Sequence, residues 1–214
     1  RRTMKLILST VGLFLMTLIS LNAQNLEFGI KSGVGGAQIH LTDLPDSEVN
    51  SYLISPILSY SINGTLNYRS KGLWGFSIDQ GLIKKGWISN KDYHDENKIR
   101  LHYLQLPILS DLYLTDNLYF SIGPEINYLL TAKNKTNYGT EKINDLNRKF
   151  ELSGVVSGAY KIFDILDIGV RYSHSLTQTS DKVFWGTDEL NENPKELKDY
   201  NQYLQIFIKV KIKN

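Results

Sequence analysis

The sequence predicts an all-β fold: eight antiparallel strands, joined up and down and closed into a barrel that crosses a membrane. Three observations predict it. Apolar and polar side chains alternate one by one in about eight separate runs, the pattern of strands whose two faces meet different surroundings. The connections between those runs are alternately short and long. The apolar stripe is almost free of charge, whereas the other stripe is crowded with small residues and carries charges of both signs.

The runs come in order. "LEFGIKSGVGGAQI" opens the series, with Leu26, Phe28, Ile30 and Val34 in phase, followed by the long spacer "HLTDLPDSEVNS". In "PILSYSINGTLNY", Leu58, Tyr60, Ile62, Leu66 and Tyr68 alternate with Ser59, Ser61, Asn63, Thr65 and Asn67. The short "RSKG" leads to "LWGFSIDQGLI", where Trp74, Phe76, Ile78 and Leu82 oppose Gly75, Ser77, Asp79 and Gly81. A second long spacer, "KKGWISNKDYHDENK", precedes "LHYLQLPILSDLYL" and "LYFSIGPEINYLL", which the tight "TDN" joins. In the latter run Leu118, Phe120, Ile122, Ile126, Tyr128 and Leu130 share a face opposite Ser121, Gly123, Glu125 and Asn127. A third long spacer runs from about Thr131 to Asn147. "FELSGVVSGAYKI" and "LDIGVRYSHSL" follow, parted only by "FD", and then comes the fourth, "TQTSDKVFWGTDELNENPKELKDYN". The chain closes on "QYLQIFIKVKIK". No helical period appears after the first residues, apart from a turn expected within "NPKELKDY".

Long and short connections in strict alternation, with an even strand number, describe an outer-membrane barrel with short periplasmic turns and long extracellular loops. The leader agrees. Arg1, Arg2 and Lys5 precede the uncharged "LILSTVGLFLMTLISL" and the small residue Ala23, which reads as a signal peptide over 1–23 with cleavage near Ala23-Gln24. Arg1 to Thr3 lie upstream of the start expected at Met4. A retained transmembrane helix is the rival reading of the same run. Residues 24–214 then form one domain, the barrel.

Charge excludes some functions. Without Arg1, Arg2 and Lys5, 21 basic residues face 22 acidic ones, a net charge of −1, so no basic stripe supports a nucleic-acid partner. Cysteine is absent, which rules out disulfides, thiolate metal sites, a Cys nucleophile and a lipidated Cys.

Alternation alone does not distinguish inside from outside. A soluble lipocalin-like carrier of an apolar ligand turns its apolar stripe inward, whereas a membrane barrel turns it to lipid. The small residues of the polar stripe, among them Gly29, Gly33, Ser59, Ser61, Gly75, Ser77, Gly169 and Ser173, suit an eight-stranded interior with room for little more than side chains. Its charges, Glu27, Lys31, Asp79, Asp111, Glu125, Glu151, Asp167, Arg171 and Lys209, are expected to pair in the lumen, because an unpaired buried ion is costly. Trp74, Tyr68, Tyr128 and Tyr172 are candidates for interfacial girdles. Pro107 and Pro124 fall inside strands, which predicts local bulges or lost ladder bonds.

"LHYLQLPILSDLYL" followed by "LYFSIGPEINYLL" resembles the central hairpin of the outer-membrane barrels common in Bacteroidota and known as the PorT family; "IKSGVG" and "RYSHSLTQ" are similar to it as well. The likeness spans essentially the residues after the leader, and the Leu-Pro and Gly-Pro hairpin is its most specific part. It implies an outer-membrane barrel and makes both prolines family features. Many members have no assigned activity, while PorT itself is associated with type IX secretion. The ending "KIKN" departs from the terminal aromatic of proteobacterial barrels.

Chemistry is sparse. The histidines are His40, His94, His102 and His174, and no pair has ligand spacing, so neither a metal nor a cofactor is expected. A lipid A-modifying barrel enzyme would draw on "YSHSL", but His174 and Ser175 are adjacent in a strand and point apart. "NGT" at Asn63 matches a glycosylation sequon in mid-strand and is discounted. Eight strands leave too little room for a water channel. The expectation is therefore a non-enzymatic, monomeric barrel with a plugged polar lumen and a structural or surface-interaction role. Its partners would be outer-membrane lipid and lipopolysaccharide, and a protein at the extracellular loops, where Phe184 and Trp185 are the candidate contact.

Overall fold

A computed structural model describes residues 26–42, 53–91, 95–143, 148–180, 183–185 and 195–212. The leader, its cleavage point and His94 lie outside the described residues.

The described residues form ten strands: β1 (Leu26–Thr42), β2 (Leu53–Arg69), β3 (Trp74–Lys91), β4 (Asp95–Tyr113), β5 (Leu118–Thr136), β6 (Gly139–Lys142), β7 (Phe150–Phe163), β8 (Leu166–Ser175), β9 (Val183–Trp185) and β10 (Lys195–Ile212). Eight of them, β1 to β5, β7, β8 and β10, pair antiparallel with their sequence neighbours. The ring closes where β1 meets β10, in an unbroken register from Phe28 opposite Ile212 to Thr42 opposite Lys198. Closure leaves the eight-stranded ring without a free edge, so every ladder finds its backbone partners without water. β6 and β9 are short additions that pair with β5 and β10.

Short turns cluster at one end and are built by local hydrogen bonds. Ser70 Oγ donates to the Trp74 carbonyl at 2.6 Å and accepts from the Gly72 N–H. Thr115 Oγ1 accepts from the Asn117 and Leu118 N–H groups at 3.2 and 2.9 Å. Such hydroxyl-to-backbone bonds are why Ser and Thr sit in tight turns.

The alternation resolves as expected from the stripe compositions. Phe120, Ile122, Leu204 and Ile206 lie on the outside, from 48 to 63% exposed, while Glu125 and Arg171 are 0 and 2% exposed within. Trp74, Tyr128 and Tyr172 are also exposed on the outer face.

Several boundaries depart from the sequence reading. The second spacer is largely strand: β3 runs on to Lys91 and β4 starts at Asp95. β5 likewise continues to Thr136 and folds back through β6. The turn expected in "NPKELKDY" gives way to β10 from Lys195 onward. Each of these segments is polar, but pairing with a neighbouring strand satisfies its backbone, and that outweighs weak local preference. The prolines cause no bulge. Register is unshifted across Pro107 and Pro124, and pairing lapses only for the residues beside each: Asp79 and Gln80 opposite Pro107, and Ile108 and Leu109 opposite Pro124. Register shifts lie instead at Pro56/Tyr60, His102/Tyr103 and Lys161/Phe163.

Candidate functional site in the barrel lumen

The inward residues form three polar tiers between two apolar clusters. Nearest the short turns, Lys209 Nζ lies 2.8 Å from Glu27 and 3.6 Å from Asp167, and Lys211 Nζ lies 3.0 Å from Asp167 and 3.6 Å from Glu27. Tyr119 donates its hydroxyl to Asp167 at 3.0 Å. Tyr119, Ala159 and Phe207 pack together here with Tyr113 beside them.

In the middle tier Asp79 is gripped from two sides, by Lys31 at 2.6 Å and by the Arg171 guanidinium. Ser77 donates to Asp111 at 3.1 Å. Gln105 donates to Asn63 at 2.6 Å, which ties up the side chain of the discounted sequon. Ser61 donates to Gln205, and Gln205 donates onward to Ser59. Small residues are required at this level. A Cβ on Gly33 would stand 2.7 Å from Gln205 Oε1, and one on Gly169 only 2.4 Å from the Phe207 ring.

The upper tier centres on Lys85. Its ammonium lies 3.2 Å from Glu125 and 2.8 Å from Glu151, between the rings of Tyr103 and Tyr203 at 5.4 and 5.0 Å. The carboxylates are held in turn: Tyr203 donates to Glu125 at 2.7 Å, Asn201 to Glu151 at 2.6 Å, and Asn127 to both. Around this tier and on toward the long connections, Ala37, Ile57, Ile83, Leu101, Leu129 and Ala132 join Tyr103 and Tyr203 in an apolar cap, with Trp87 and Ile99 against it. A core of this kind inside the barrel was not anticipated from the sequence.

Eight of the nine charged positions expected in the lumen are buried, and Glu27, with its side chain 38% exposed, pairs with Lys209 and Lys211. Glu125 takes Lys85 as its cation. Lys85 and Lys211 were missed. Lys85 lay in a stretch read as loop, yet it keeps the phase of Asp79, six residues earlier on the same strand face, and that phase was the available signal. The five cations Lys31, Lys85, Arg171, Lys209 and Lys211 share the interior with seven acids, Glu27, Asp79, Asp111, Glu125, Glu151, Asp167 and Asp199.

On the outer face, His174 rests near the rings of Tyr172, Tyr200 and His40, with centroids 6.1 to 6.5 Å away. Ser175 is buried and donates to the Thr177 carbonyl at 2.7 Å. The two side chains diverge, so no His–Ser pair exists at this place. β9 sets Phe184 opposite Glu196 and Trp185 opposite Lys195; the side chains of all four lie outside what the structure describes.

A closed eight-stranded barrel with an apolar exterior and an ion-paired interior is the architecture of a small outer-membrane protein. The chain belongs to the outer membrane protein beta-barrel domain family, whose model matches residues 22–181. Its fold is similar to that of Neisserial surface protein A, at 11% identity and a TM-score of 0.52, covering 86% of this chain and 97% of that one. The attachment invasion locus protein Ail of Yersinia pestis also aligns, at 11% identity and a TM-score of 0.48, over 87% of this chain and 98% of that one. No curated protein matches the sequence. The protein is located in the outer membrane. Its short turns then face the periplasm and its long connections the exterior.

Proposed function

We propose that the protein is a non-conducting outer-membrane barrel that acts through its lipid-facing surface and extracellular ends, in a structural or surface-interaction role. The observation that carries this reading is the filled lumen: Lys85, Glu125, Glu151, Asp79 and Arg171 are all at most 2% exposed, under a cap of apolar side chains. Ions moving through would have to break buried pairs, each of which is costly to separate. Lipid and lipopolysaccharide are its surroundings, and the segment around Phe184 and Trp185 is the region for a protein partner. The lumen charges serve as the structural plug, in a monomeric barrel released from a leader at 1–23. The Leu-Pro and Gly-Pro hairpin supports a PorT-like reading, and a link to secretion rests on that likeness alone.

The test is conductance across planar bilayers, with membrane partition as a check. The barrel is expected in the detergent phase and electrically silent. Discrete channel openings would refute the plugged lumen, and a chain soluble without detergent would refute the membrane reading. The carrier alternative is disfavoured by the apolar outer face, and the lipid A-modifying alternative by the divergence of His174 from Ser175.

A further inference from the structure

A second charged surface lies outside the barrel, where β3 to β6 rise beyond the apolar band. Cross-strand registers place Lys84 opposite His102, Arg100 opposite Lys133, Lys98 opposite Lys135, and Lys133 opposite Lys142. Directly paired residues share a face, so these seven basic side chains form one patch three rows deep. Lys84, His102 and Thr131 make the first row; Gly86, Arg100, Lys133 and Lys142 make the second; Lys98, Lys135 and Thr140 lie in the third. No acidic residue occupies any of these rows. Glu96, opposite Asn90, stands one row further out.

Like charges set directly opposite one another destabilise a sheet, and this patch has three such pairs, Arg100–Lys133, Lys98–Lys135 and Lys133–Lys142. Its polar atoms are incompletely used: Arg100 Nε and His102 Nδ1 are buried without a hydrogen-bond partner. Lys84 Nζ reaches over the Tyr60 ring at 5.4 Å.

Position identifies the occupant. Two residues below the first row on the same face lie Leu82, Leu104 and Tyr128, aligned in register and 38 to 50% exposed. Two residues along a strand are roughly 7 Å. The surface therefore changes from acyl-facing to cationic over about the depth of a headgroup. A ligand meeting both zones carries hydrocarbon chains with phosphate groups at their upper end.

We propose that this patch is a binding site for a phosphorylated glycolipid of the outer leaflet: its acyl chains lie against Leu82, Leu104 and Tyr128, and its phosphates bridge Lys84, Arg100, His102 and Lys133. The inference rests on the outer-membrane reading above and not on the plugged lumen. The bound anion would offset the repulsion between Arg100 and Lys133, which no acidic residue placed in their row by the register relieves.

The test uses the full barrel in neutral detergent, titrated with bisphosphorylated lipid A and with the same lipid stripped of phosphate. Binding of the phosphorylated form is expected, with K84Q/R100Q/K133Q weaker by about a hundredfold, from the order of free energy that each basic residue contributes at an anionic surface. K161Q, in the periplasmic turn region, is expected to bind as the parent does. In neutral detergent alone the triple variant should melt at or above the parent temperature, because repulsion has been removed. Where the triple variant does not fold, K133Q alone should weaken binding by about fivefold. Equal binding of the dephosphorylated lipid, unchanged affinity in the variant, or equal competition by inorganic pyrophosphate would overturn the site. Channel activity with lipid A binding intact would sink the plugged-lumen reading and leave this inference standing; a silent barrel without phosphate-dependent binding would do the reverse.

Discussion

Lys85 and Glu151, 66 residues apart in the chain, meet at 2.8 Å in the closed interior of the barrel, where each is almost wholly shielded from solvent. Lys85 also serves Glu125, so a single ammonium holds two buried carboxylates. Removing it leaves two like charges facing each other. Lys85→Met is expected to lower stability by about 3–5 kcal/mol in urea unfolding from vesicles. The triple change K85M/E125Q/E151Q should recover most of that loss, because no uncompensated charge remains. A loss equal in both variants would show that the pairing is not what matters.

The outer face makes a second prediction. Ile122, four residues after the start of β5 at Leu118, is 63% exposed on the surface that meets acyl chains. Ile122→Arg is expected to cost about 2–4 kcal/mol of folding free energy in a bilayer. Lys135→Arg, beyond the band, should cost nothing measurable. Similar stability of the two variants would place Ile122 outside hydrocarbon.

Gly169 makes the third. A methyl group there would approach the Phe207 ring to 2.4 Å and the Gly158 carbonyl oxygen to 2.5 Å. Gly169→Ala is expected to destabilise by about 1–3 kcal/mol through overpacking. Truncating the ring as well, in G169A/F207A, should relieve only part of this, since the backbone oxygen stays in place. Thermal unfolding of the parent and the two variants in detergent reads the difference.

Leu101 supports the fourth. It is fully buried in the apolar cap, opposite Lys85 in the register of β3 and β4. Leu101→Ala should cost about 2–5 kcal/mol through the cavity it leaves. It should not open a conducting path, because the three charged tiers below remain filled. Conductance in this variant would make the cap, and not the ion pairs, the seal.

Residues with a strict two-residue period were read correctly because a strand has only two faces. Phe120 and Glu125 are even and odd members of one such pattern, and their surroundings follow from composition: a lumen admits small and paired polar groups, whereas hydrocarbon admits neither charge nor free backbone. Lys85, Ile83 and Leu101 were less legible. They lie where strands leave the membrane, so their outward neighbours Lys84, Arg100 and His102 are polar too. The contrast between faces that marks a strand is then lost, and the segment looks like a loop. The signal left was phase alone, carried forward from Asp79.

What the sequence determined by itself was the class of fold, the direction in which the oily stripe points and the side of the membrane on which the long connections lie. All three depend on local periodicity and on the solvents that meet each face. Only the tertiary structure decided which carboxylate each cation takes, and that Lys84, Arg100, His102 and Lys133 stand shoulder to shoulder. Those facts depend on register between strands far apart in the chain, set when the barrel closes and every backbone group must find its partner at once.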